Sequence, residues 1–255
     1  MMQPLIAGNW KMHGTRDSCR ALASAIAGDL GTLQEALVAI FPPYPSLPEA
    51  AEAIRGTDIA LGAQDLHPEA EGAFTGEVSG SLLRSFGCRY VLAGHSERRR
   101  LCGETDDVVK RKISRALASD LKPVLCVGES AEQREAGDGE EIVHKQVRIA
   151  LAGLDSSVAT RLVLAYEPVW AIGSGRPATP QVAAEMHALI RDDLRQRFGA
   201  TEGSEIRILY GGSVTPENAG GLLGQEEIDG LLVGGASLDA ASFSAIARAA
   251  VGAYS

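Results

Sequence analysis

Eight short apolar runs, rich in β-branched residues, recur along the chain: PLIAGNW, ALVAIFPP, IALGAQD, YVLAGH, PVLCVGE, RLVLAYEP, IRILYGG and GLLVGG. Their hydrophobicity is nearly continuous rather than alternating, the pattern of parallel strands covered on both faces. Between them the spacing becomes helical. From Asp106 to Ser119 it sets Val108, Val109, Ile113 and Leu117 on one face, with Thr105 placed to cap the first turn. Thr179 and Pro180 supply a cap and a first helical residue for a helix predicted to stop at Gly199. Thr215 and Pro216 repeat the device. Strand and helix alternating eight times predict an α/β fold, a (β/α)8 barrel of eight parallel strands with surrounding helices. An open doubly wound sheet is the competing arrangement. No low-complexity linker divides the chain, so a single domain over residues 1–255 is expected.

Composition narrows the partners. With 45% hydrophobic and 22% charged residues the chain reads as an ordinary globular protein. A net charge of −9 argues against nucleic acid, which needs clustered Lys and Arg. An anionic substrate must therefore be held by a locally positive pocket. The N-terminal MMQPLIAGNWKMHG lacks the pattern of a signal peptide, and no apolar run is long enough to span a membrane, so a cytoplasmic protein is expected. Cys19, Cys88, Cys102 and Cys126 lie far apart, as suits reduced thiols.

Polar residues gather where the strands run out. Asn9 and Lys11, His95, Glu129, Glu167, Ser213 and the Gly234-Gly235 pair all follow an apolar run. In a barrel those positions share one rim, where such enzymes assemble their sites. Glu167 follows LVLAY, and apolar walls there would raise a carboxyl toward the working pH of a general base. By itself it suits a structural ion pair equally well. The next segment, Pro168 to Pro177, mixes Val169, Trp170, Ala171 and Ile172 with Gly173 and Gly175. That is the composition of a lid closing over a ligand, and it tips Glu167 toward catalysis.

His95 precedes Ser96-Glu97-Arg98, which reads as the start of a helical turn. A helix N-terminus disfavours the imidazolium, so a neutral ring donating to a developing oxyanion is expected. Lys11 is a candidate for holding substrate charge, and Glu97 reads as its partner ahead of the alternative, a second carboxylate in the site; a solvated surface lysine and a Schiff-base nucleophile are the other readings of Lys11. Gly211, Gly212 and Ser213 after the seventh run, and Gly234 and Gly235 after the eighth, suit a phosphate cradle. GSGRPA mimics a dinucleotide fingerprint but falls beyond the strand and contains Pro177, and GHSER misses the nucleophile-elbow pattern at Arg98. HExxH, CxxC, DxDxDG and Walker patterns do not occur, so neither metal nor cofactor is called for. The inventory suits proton abstraction beside a carbonyl in a small phosphorylated metabolite. A catalytically silent phosphate-binding barrel would need only the cradle.

GNWK, GAFTGEVS, AGHSERR, PVLCVGE, AYEPVWAIGSG, YGGSV and LVGGASL stand in the order found in triosephosphate isomerases, and the chain resembles that family over essentially its whole length. The resemblance implies a TIM barrel that interconverts dihydroxyacetone phosphate and glyceraldehyde 3-phosphate through an enediolate, in glycolysis and gluconeogenesis. It implies Glu167 as proton-shuttling base, His95 as electrophile, and Lys11 with Asn9 as electrostatic support. It further implies phosphate contacts from Gly173, Ser213, Gly234 and Gly235, beneath a lid at 168–177. A homodimer follows too, with the GAFTGE loop and Thr75 entering the partner subunit near its Lys11 and His95. Arg98 would pair with Glu104 as scaffold. Cys126 would back the base, although core burial explains it equally well. His13, Ser174 and Arg176-Pro177 depart from the family's usual residues, and Pro177 is expected to restrict the lid's hinge.

Overall fold

The computed structural model describes residues 2–171 and 178–253. Each of the eight apolar runs forms a strand: β1 (Leu5–Asn9), β2 (Leu37–Phe41), β3 (Ala60–Ala63), β4 (Tyr90–Ala93), β5 (Lys122–Val127), β6 (Val163–Tyr166), β7 (Arg207–Tyr210) and β8 (Gly230–Val233). They pair in parallel in sequence order, and β8 returns to β1 with Leu5 opposite Gly230, so the sheet closes. Closure excludes the doubly wound alternative. Alternation appears only in three dimensions. Leu5, Ala7, Leu92, Val124, Cys126 and Ala165 point into the barrel, while Ile6, Val91, Leu125 and Leu164 point outward against the helices. Both sets are buried, which is why the strands read as unbroken apolar runs.

The outer layer consists of α1 (Arg16–Leu30), α2 (Leu47–Ala53), α3 (Gly80–Ser85), α4 (Ser96–Leu101), α5 (Asp106–Ala118), α6 (Ala131–Glu135), α7 (Gly139–Ala150), α8 (Pro180–Phe198), α9 (Ala200–Glu205), α10 (Pro216–Leu223) and α11 (Ala240–Ala253), with short 3-10 turns between them. The expected caps form. Thr105 and Thr179 accept from the backbone N–H of Val108 and Val182, and Thr215 makes a capping box with Asn218. Helix α8 ends at Gly199, as its sequence predicts. One face differs from expectation. Val108 is only half-buried on α5, and Lys112 takes an inward position because Asp65 and Glu104 receive its ammonium at 2.6 and 2.5 Å. Among the described residues no helix is long and apolar enough to cross a membrane.

Candidate active site

The barrel delivers the strand-end residues to one place. Asn9, Lys11, His95, Glu167, Ser213, Gly234 and Gly235 all line a cavity of about 370 Å³ at the C-terminal ends of the strands. Gly173 lies outside the described residues, as do Ser174, Arg176 and Pro177, so the phosphate contact and hinge expected of them lie there too. Glu129 does not join the cavity. It is fully buried, and its Oε1 accepts from Tyr166 Oη at 3.0 Å, Trp170 Nε1 at 2.7 Å and Arg134 Nη1 at 3.1 Å. Its work is to pin Val169–Ala171, the 3-10 turn that follows Glu167.

Lys11 is fixed by its backbone before its side chain acts. It adopts φ 51°, an uncommon conformation for a residue with a Cβ. Two contacts hold it there: Asn9 Oδ1 accepts the Lys11 N–H at 3.0 Å, and Gln64 Nε2 donates to the Lys11 carbonyl at 2.8 Å. The ammonium then meets Glu97 Oε1 at 2.6 Å. Burial pushes the Glu97 carboxyl up, but the hydrogen bond and charge of Lys11 outweigh it and hold the acid below its ordinary value. A carboxylate this close to the Lys11 Nζ favours the charged side chain, whereas a Schiff-base nucleophile needs a free amine.

His95 and Glu167 come together from β4 and β6. Their contact, Nε2 to Oε1, is 2.9 Å, and both side chains are buried. His95 caps α4, and its Nδ1 accepts the Glu97 N–H at 3.3 Å. With Nδ1 an acceptor, the proton of a neutral ring sits on Nε2, facing Glu167. Burial lowers the His95 pKa, yet the adjacent Glu167 carboxylate outweighs burial and raises it above the ordinary value. A contacting charge is stronger than the partial charge of a helix end.

Glu167 Oε2 accepts the Ser96 N–H at 2.8 Å, a backbone contact with no signature in the sequence. Gly211 leaves room for the carboxylate, since a Cβ there would stand 3.0 Å from Glu167 Cγ. Behind it, burial and then the Glu167 charge push the Cys126 thiol well up, so it stays a neutral wall. Arg98 does meet Glu104, at 2.5 Å, and Asp65 at 2.9 Å. Lys11, Gly234 and the 3-10 turn Gly235–Leu238 close the opposite side of the cavity.

Together these features define a (β/α)8 barrel whose rim sets a carboxylate, an imidazole and an ammonium around one glycine-walled cavity. The family model for triosephosphate isomerase matches residues 4–250, and the chain belongs to that family. It is 50% identical over 243 residues to the triosephosphate isomerase of Roseiflexus sp. (strain RS-1), covering 95% of this chain and 96% of that one. To the triosephosphate isomerase of Moorella thermoacetica it is 51% identical over 246 residues, covering 96% and 98%. A crystal structure of triosephosphate isomerase from Bartonella henselae superposes with a TM-score of 0.89 at 37% identity, covering 97% of this chain and 99% of that one.

Proposed function

We propose that Glu167 is the base that moves a proton between the two adjacent carbons of the substrate, the carbonyl carbon and its hydroxyl-bearing neighbour, with His95 donating from Nε2 to the developing oxyanion. As a member of the triosephosphate isomerase family, the chain interconverts dihydroxyacetone phosphate and glyceraldehyde 3-phosphate. The observation that carries the residue roles is the 2.9 Å contact of Glu167 with His95 at the edge of the cavity that also holds Lys11. A carboxylate already in hydrogen-bond reach of its electrophilic partner needs only to exchange that partner for a substrate C–H. Lys11 offsets the charge of the enediolate and phosphate, and Asn9 fixes its backbone. Ser213, Gly234, Gly235 and Gly173 take the phosphate through backbone amides, beneath a lid over 168–177.

The test is Glu167→Gln in a coupled assay with glyceraldehyde 3-phosphate. Turnover falls by ~10²–10⁴-fold, the usual worth of a general base, while inorganic phosphate still binds by calorimetry. Wild-type turnover in that variant removes the assignment.

We further read residues 1–255 as one barrel domain that works as a homodimer in the cytoplasm. Met12 is 93% exposed and Leu101 71%, and Phe74, Leu82 and Phe86 add apolar surface on a chain otherwise rich in charge. Apolar side chains of that exposure are what a partner surface covers. The free thiols suit a reducing compartment. Sedimentation equilibrium at twice 26.7 kDa supports the dimer, and a monomer mass excludes it.

A further inference from the structure

Arg99 reaches back from α4 to the two strands that bear on the reacting pair. Its Nε donates to the Gly94 carbonyl at 2.7 Å, its Nη2 to the Cys126 carbonyl at 3.3 Å, and its Nη1 meets Asp106 Oδ1 at 2.5 Å. The strand register shows why a side chain is wanted here. Strands β4 and β5 run in register as far as Ala93 opposite Leu125. One residue on, Gly94 turns to φ 75° and the chain leaves the sheet. The guanidinium spans the two strands where their ladder has stopped. A Cβ at residue 94 would stand 2.8 Å from Val109 and 3.0 Å from Arg99 Nη2, so glycine is required by the turn and by the seat of the guanidinium alike.

The two carbonyls it grips sit next to the catalytic bearings. Gly94 precedes His95. Cys126 precedes Val127, whose carbonyl accepts the Glu167 N–H at 2.7 Å. We propose that Arg99 is a positioning residue for proton transfer, a strut that fixes the end of β4 carrying His95 against the part of β5 on which Glu167 rests. The proposal depends on Glu167 and His95 being the reacting pair. Three acceptors at three angles call for a planar fork with several donors; a lysine offers one donor centre and cannot replace it. Misplacing a reacting group by about 1 Å costs on the order of 10²-fold in rate, so a strut of this kind acts on kcat. The phosphate-side residues Ser213, Gly234 and Gly235 follow β7 and β8, away from the strut, so KM is spared.

Arg99 also lines a second cavity of about 470 Å³ on the far side of Glu167, together with Ser96, Gly128, Gln146 and Val169. That space gives a small cation access to the vacated position in a truncated variant. In Arg99→Ala, kcat is expected to fall ~10–10²-fold with KM within about threefold of wild type. Guanidinium chloride below denaturing concentration restores part of the rate, and ammonium chloride at equal ionic strength does not. Arg99→Lys stays low. Asp106→Asn, which loosens the fork without removing it, shows a smaller loss in the same direction.

A folded Arg99→Ala protein with wild-type kcat overturns the proposal. So does a loss confined to KM, or a rescue by ammonium equal to that by guanidinium. If Arg99→Ala does not fold by circular dichroism, the lysine and asparagine variants decide, and wild-type kcat in both overturns it. Glu167→Gln assayed in parallel separates the two readings: an inactive Glu167→Gln beside an unaffected Arg99→Ala removes the strut alone, and an active Glu167→Gln removes the base on which it rests.

Discussion

The two ends of this barrel each bury a carboxylate against a cationic or basic side chain, and they do so differently. At the N-terminal ends of β7 and β8, Arg191 is 2% exposed, and every arm of its guanidinium is committed. Nε and Nη2 meet Glu227 at 2.9 Å and Asp229 at 2.5 Å, while Nη1 donates to the Gly203 and Ile206 carbonyls at 2.8 and 2.5 Å. Asp229 in turn accepts the Ile208 N–H at 2.9 Å. At the C-terminal ends, Glu167 is equally buried but has two light partners, an imidazole and one amide, and it borders two cavities. A saturated charge cannot leave its place; an under-committed one beside empty volume can change partner. The first arrangement suits a scaffold and the second suits the proton transfer proposed for it.

The sharpest way to break that contrast is to unmake the saturated pair. Arg191→Met leaves Asp229 and Glu227 without their cation, and loss of one partner of a buried pair costs about 3–5 kcal/mol. Urea unfolding should show that loss, while kcat per folded molecule stays near wild type. A fall in kcat without a fall in stability would place Arg191 with the chemistry.

The converse applies at the rim. His95→Ala removes the proposed oxyanion donor, and kcat is expected to drop ~10²–10³-fold, the usual cost of one such donor. The unfolding midpoint should move little, since the imidazole faces a cavity rather than a packed core. Steady-state kinetics beside a thermal melt reads both effects at once.

His187 sharpens the comparison through pH. It is fully buried, Nδ1 donates to the Glu227 carbonyl at 2.9 Å, and burial lowers its pKa from 6.5 to about 4. The unfolded chain therefore takes up a proton first as pH falls. Stability from this site is complete above about pH 6.5 and declines as pH drops toward 4, at roughly 1.4 kcal/mol per unit. Between pH 7 and pH 5, wild type should lose about 2 kcal/mol more than His187→Gln in urea melts. Equal losses would mean the imidazole does not stay neutral in the fold.

The smallest effect is expected at Glu97. Its pairing with Lys11 is part-exposed, with 27% and 39% of the two side chains accessible, so solvent discounts it. Glu97→Gln should alter stability by less than about 1 kcal/mol and shift KM a fewfold at most. A large loss of kcat would give Glu97 a direct role in proton transfer.

The site was legible to the extent that it sits at strand ends. An apolar run that stops at a charged residue marks a rim position without any coordinates, and Asn9, Lys11, His95, Glu167, Ser213, Gly234 and Gly235 all gather at one cavity. Glu129 carries the same signature and points elsewhere, because Tyr166, Trp170 and Arg134 offer it donors inside the protein. Gln64, the Ser96 amide and Arg99 had no signature at all. Each of these contacts has a backbone group on one side, the Ser96 N–H toward Glu167 or a carbonyl toward Gln64 and Arg99, and backbone groups look the same in every sequence.

The eight strands, the capped helices and the alternating α/β class were determined by the sequence alone, because unbroken apolar runs, Thr-Pro caps and helical spacing act within a few residues of themselves, whereas the choice of a closed barrel over an open sheet waited for β8 to pair with β1. Tertiary structure decided which charges are saturated and which are poised, the direction of the His95 shift, and the inward turn of Lys112. Each of those depends on what stands across a gap of a few ångströms, and the chain brings those groups together only when the barrel closes.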